Sequence, residues 1–169
     1  MDYKNFTKQI HNSVETSAPP ERIWEEIELI GGLRGWYYLD WLWQLRGALD
    51  RVVGGPGMRR RLERQRPLAV GGIVDCYRIA AVIPERKLTL VAEMKLPGEG
   101  VMEFNLAPLA DGRKQLDVAI YFEPEGVFGA AYWYCLVPMH DTVLGGLLRT
   151  ICRQAEVPRS ADNIVVRTS

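Results

Sequence analysis

Apolar and polar positions along the chain change period twice. KQIHNSVETS (8–17) partly alternates and carries β-branched residues, as a strand with one buried face does. APPERIWEEIELI (18–30) then takes helical spacing, with prolines at its entrance, glutamates in its early turns and Gly31-Gly32 to stop it. A second helix is predicted in WYYLDWLWQLRGALDRVV (36–53), apolar at Leu39, Leu42, Trp43, Leu49 and Val53 and ended by GGPG. The middle of the chain turns to strands: VDCYRIAAVI, KLTLVAEMKL, VMEFNLAPL and KQLDVAIYFE, separated by the turn signals PERK, PGEG and ADGR. From about Gly126 to Glu156 helical spacing returns.

This order predicts an α+β domain: a strand, two short helices, a run of antiparallel strands and a long C-terminal helix. Short connections make neighbouring strands antiparallel. A sheet with one apolar face must be covered, and the last helix is the available cover. A curved sheet gripping a helix leaves room between the two for a small molecule. At 169 residues the chain is read as one domain, 1–169.

Strand parity then sorts the side chains. Were PG alone a two-residue hairpin, Leu96 would pair with Glu99 and the apolar residues would scatter over both faces. A turn longer by one residue pairs Leu96 with Gly100. Leu90, Ala92 and Met94 then join Met102, Phe104 and Leu106 on one face, leaving Glu93, Lys95 and Glu103 opposite. Glu93 and Lys95 therefore read as cross-strand surface charges rather than pocket groups. On the next strand Leu116, Val118, Ile120 and Phe122 point inward and Tyr121 outward. Ile79, Ala81 and Ile83 carry Tyr77 and Asp75 inward with them. An inward carboxylate needs a partner. MRRRL as a strand puts Met58, Arg60 and Leu62 on one side, which makes Arg60 the candidate at the cavity mouth; the alternative leaves Arg60 and Asp75 solvated at strand ends.

Composition narrows the function classes. The charges balance, 21 basic against 21 acidic, which argues against a nucleic-acid binder. The five arginines between Arg59 and Arg66 lack interleaved aromatics, and a strand would splay them to both faces, so they read as a solvated basic edge. The three cysteines (Cys76, Cys135, Cys152) form neither a disulfide framework nor a zinc site, and the first residues lack a signal-peptide core; a cytoplasmic location is expected. Gly126–Leu148 is apolar enough to raise a membrane span, but Asp141 near its middle, Pro138 and Gly145-Gly146 favour a buried core helix. No GxSxG elbow or metal-ligand spacing occurs, so no metal or other cofactor is expected.

At 100° per residue, Trp133, Leu136, Val137, His140, Leu144, Leu147, Leu148 and Ile151 share one face of the last helix. His140 sits mid-stripe, either a core residue or a base for proton transfer, for which it needs a near-neutral pKa. Pro138, on the other side, either begins the regular helix or kinks it. Trp36, Trp41 and Trp43 read as core and helix-packing residues in a candidate lid, with one of them at the pocket entrance.

IGGLRGWYYLDWLWQLRGALDRVVGGPGMRRR, AEMKLPG and GAAYWYCLVPMH resemble, over nearly the whole chain, a bacterial domain-of-unknown-function family of the START, polyketide-cyclase and pollen-allergen-like superfamily (SRPBCC). The resemblance implies a helix-grip fold, a curved antiparallel sheet wrapped around a long C-terminal helix, and a cavity. Family members often follow an NAD(P)-binding domain of the short-chain-dehydrogenase type; no such domain and no Gly-rich dinucleotide loop are seen here. DCYRI stands where the family tends to have DFWRV, which implies a reshaped pocket wall. The expected walls are Ile79, Met94, Met102, Phe104 and Trp133, with Tyr77 and His140 as polar points and Trp36 and Arg60 at the mouth. Binding of a small hydrophobic or aromatic molecule is the leading expectation. The alternatives are a cyclase- or dehydratase-like enzyme using His140 with Asp75, and a partner module for a separately encoded NAD(P)-dependent reductase. The sequence also allows a homodimer.

Overall fold

The computed structural model describes residues 2–32, 35–59 and 67–157. A short 3-10 turn, Tyr3–Asn5, precedes β1 (Lys8–Thr16), α1 (Pro20–Ile27) and α2 (Asp40–Val52). Then come β2 (Ile73–Val74), β3 (Tyr77–Ile83), β4 (Lys87–Ala92), β5 (Gly98–Pro108), β6 (Lys114–Pro124) and α3 (Gly126–Glu156). The strands form one antiparallel sheet of six in the order β1-β6-β5-β4-β3-β2. The first and last strands in sequence are thus neighbours, and α3 packs across both of them.

The inward alternation is the one the pattern predicts on β4, β5 and β6; on β3 it breaks at a bulge between Ile79 and Ala81, so that Val82 packs on the core and Ile83, expected inward, is half exposed. Leu88, Leu90, Met102, Phe104, Leu116 and Val118 are buried in one core with Leu144, Leu147, Leu148 and Ile151 of α3. At roughly 25 cal/mol per Å² of apolar surface, burying each such side chain is worth about 1.5–3 kcal/mol, which is what holds helix to sheet. Tyr38 packs where Gly146 leaves room: a Cβ there would lie 2.2 Å from its ring.

Four expectations need correction. VDCYRIAAVI is not one strand. Asp75 takes a left-handed φ of 56° and with Cys76 makes a two-residue turn between β2 and β3. The β4–β5 register pairs Leu90 with Met102, not Leu96 with Gly100; both are even-numbered offsets, so the faces survive the shift. Glu103 and Tyr121 do point away from the core, but they are not on a solvated face. Tyr3 and Phe6 pack there with Val101, Ala119 and Tyr121 in a second small cluster, and Glu103 is only 1 % exposed. Its carboxylate takes hydrogen bonds from Tyr3, Lys4 (2.5 Å) and Asn105 (2.9 Å), with Lys87 at 2.9 Å. Finally, of the two roles expected for Pro138, beginning the regular helix is ruled out: α3 starts at Gly126 and runs through the proline.

Candidate functional site

Between sheet and α3 lies an apolar cavity of about 90 Å³. Its floor is Tyr77, Met102, Ile120 and Phe122 from the sheet, and Met94 and Leu96 from the β4–β5 connection form one side. From α3 come Tyr132, Trp133, Leu136, Met139 and His140, and from α2 Leu42, Trp43 and Arg46. Helical spacing explains the α2 set, since positions 42, 43 and 46 share a face. The walls are strongly aromatic. Phe122 and Trp133 stack with ring centroids 5.5 Å apart and planes 4° from parallel. Trp43 stacks on Trp36 at 4.1 Å, which fixes the indole over the cavity.

Of the residues singled out from sequence, Tyr77, Met94, Met102, Trp133 and His140 line this space. Ile79, Phe104 and Trp36 do not; each is 2 % exposed or less and belongs to the core behind it. Trp43, not Trp36, is the tryptophan at the cavity, while Trp41 points outward. Asp75 is buried but lies in the turn outside the lining. Its Oδ2 accepts from the Trp36 indole (3.0 Å) and its Oδ1 from the Arg59 backbone N–H (2.8 Å). Asp75 is thus inward and partnered, as parity predicts, but the turn carries it away from the lining, and no His140–Asp75 pair is assembled in the cavity. Arg60 lies outside the described residues. Its neighbour Arg59 bonds Glu93 (2.5 Å), which also pairs with Arg78.

His140 is half-buried, with its Nδ1 edge shut off from solvent. Burial pulls its pKa down to about 4, so the ring is neutral at pH 7. Its Nδ1 is buried and has no hydrogen-bond partner among the described residues, as is the Trp43 indole nitrogen. Burial likewise pushes the Tyr77 hydroxyl well above its ordinary pKa. The residue the sequence reading missed is Arg46, the only charged side chain among the described lining residues. The signal was its spacing, three residues after Trp43, but only apolar positions were followed. Its Nε donates to the Tyr132 hydroxyl (3.2 Å) and Nη2 to the Lys95 carbonyl (3.4 Å). Among the described residues no group of three His, Cys, Asp or Glu side chains could hold a metal. No helix among them is long and apolar enough to cross a membrane.

With this geometry in view, comparison with known proteins supplies a family. Residues 6–147 match the family described as protein of unknown function, DUF2867. The chain belongs to the DUF2867 family. No curated protein matches this DUF2867 chain by sequence. Among solved structures, the Zhui aromatase/cyclase from Streptomyces sp. R1128 superposes with a TM-score of 0.52 at 17% identity, covering 88% of this chain and 93% of that one. Protein CV1439 from Chromobacterium violaceum gives a TM-score of 0.49 at 17% identity, covering 90% of this chain and 100% of that one. The aromatase/cyclase likeness shows the fold, and the α+β helix-grip architecture expected from sequence is the observed one.

Proposed function

We propose that this DUF2867 protein binds a small hydrophobic or aromatic molecule in the cavity between sheet and α3. The observation that carries the reading is the wall itself, aromatic and aliphatic on every side, with few polar points. Its resemblance to the START-like superfamily and the aromatase/cyclase likeness in fold support such a cavity, though a fold does not specify a ligand. At about 90 Å³ the space is smaller than the ~150 Å³ apolar cavity known to take benzene, and well below the ~300–1,000 Å³ of sites for drug-sized ligands. A one-ring ligand needs a small adjustment; a larger one needs α2 to move.

Proton transfer by His140 has less support. A base with a pKa near 4 is weak at neutral pH, and no carboxylate stands with it among the lining residues. A second reading, docking onto a separately encoded NAD(P)-dependent reductase, is favoured by one observation: Trp41, Leu45, Leu49, Val52 and Val53 leave α2 with an exposed apolar outer stripe. Native mass spectrometry of the purified protein, set against a denatured sample, tests the first reading. A co-purifying small apolar molecule is the expected result. A clean mass combined with reductase capture abolished by Leu45→Glu would move the conclusion to the second.

A further inference from the structure

The ligand's chemical class can be narrowed, on the proposed reading, from the one cation among the described residues lining the cavity. Arginine carries five N–H donors and no acceptor. Arg46 uses two of them, both in long bonds of 3.2 and 3.4 Å. Arg46 also forms a long i,i+4 ion pair with the buried Asp50, 3.8 Å from Nη1 and beyond hydrogen-bond reach. Asp50 is also committed elsewhere: its oxygens accept the backbone N–H of Gly57 (2.8 Å) and of Lys95 (2.7 Å). Arg46 thus keeps donors available at the border of an apolar space, its side chain 22% exposed and open to a ligand entering there.

Its neighbours there are donors as well. The Tyr132 oxygen accepts from Arg46 Nε, and its own hydrogen finds no acceptor among the described residues. The Trp43 indole N–H, on the same face of α2, is unpartnered among them too. An acceptor-only group with two oxygens is what such a set lacks, and a carboxylate matches the planar fork of a guanidinium. A neutral carbonyl would leave most of these donors unmet.

We infer that the ligand is an aromatic carboxylate, its ring against the stacked Phe122 and Trp133 and its carboxylate on Arg46 and the Tyr132 hydroxyl. Phenylacetate and phenylacetamide, equal in shape and different in charge, test this by calorimetric titration of the whole protein. Phenylacetate is expected to bind about ten- to a hundredfold tighter, the range of a charge-assisted pair. Arg46→Gln should erase the difference while leaving amide binding in place. Arg46→Lys, which keeps the charge but not the fork, should retain part of it, and circular dichroism checks that both variants fold. Equal binding of acid and amide to the unaltered protein would overturn the inference and leave apolar ligand binding standing. Failure of both compounds to bind up to millimolar concentration would overturn both.

Discussion

His140 ties the cavity to pH. Its ring is buried neutral with a pKa near 4, against 6.5 when unfolded, so the unfolded chain takes up the proton first. The stability this represents is fully present above pH 6.5 and drains away as pH falls toward 4, up to about 3 kcal/mol in all. Urea unfolding at pH 7 and pH 4.5 should therefore show a steep loss in the parent chain and a much shallower one in His140→Phe. An equal slope in both would mean the ring is not buried neutral. At this scale the sequence was legible wherever strand or helix parity was unbroken, as for Tyr77, Met102 and Trp133. It put Asp75 inside with a partner, as found, but beside the cavity, where it is not, because a left-handed residue in a two-residue turn reverses the chain there.

Among the elements, the amino-terminal turn does more than its short sequence indicates. Tyr3, Lys4 and Phe6 cover the outer face of β5 and β6 and enclose Glu103. Burial alone would raise that carboxyl, but hydrogen bonds from Asn105, Lys4, Tyr3 and Lys87 outweigh it and hold the pKa at about 2, below the usual 4.5. A depressed carboxyl stabilises the fold above pH 4.5, and this contribution of about 3 kcal/mol is lost as pH falls toward 2. Glu103→Gln should lower the melting temperature at pH 7 by several degrees and flatten the acid limb between pH 4.5 and 2. An unchanged melting temperature would show that the cluster contributes nothing net. Alternation placed Glu103 on the correct face. Nothing in the alternation of one strand shows that a distant turn will cover that face, since the covering residues announce themselves only as a tyrosine and a phenylalanine near the start of the chain.

For the molecule as a whole, strand and helix order was readable because each element carried its own period and its own stop signals. The tryptophan-rich segment was legible as a lid, but that Trp43 and Arg46 are its cavity-facing residues was not, because that depends on how α2 lies across a sheet formed later in the chain. Only Gly47 and Asp50 of α2 are buried, whereas α3 buries a continuous run from Val143 to Leu148. Few buried contacts mean a low free energy of local opening. Amide hydrogen exchange should find α2 deprotecting well before α3 and the β5–β6 pair, and bound phenylacetate should slow exchange in α2 selectively. Equal protection of α2 and α3 would rule out α2 as the movable wall.

Pro138 lies inside α3 and has no amide hydrogen to give to the turn before it, so the helix lacks one rung of its ladder. Ahead of it stand the cavity residues Tyr132, Trp133 and Leu136, with Val127, Phe128 and Tyr134 in solvent; behind it the cavity residues Met139, His140 and Val143 lead into the buried run to Leu148 that anchors the sheet. The proline thus falls within the cavity wall, with lining residues on both sides. Mutations in the exposed first turns bear least on folding, those beyond Val143 bear on it most, and those at Met139 and His140 alter pocket and packing together.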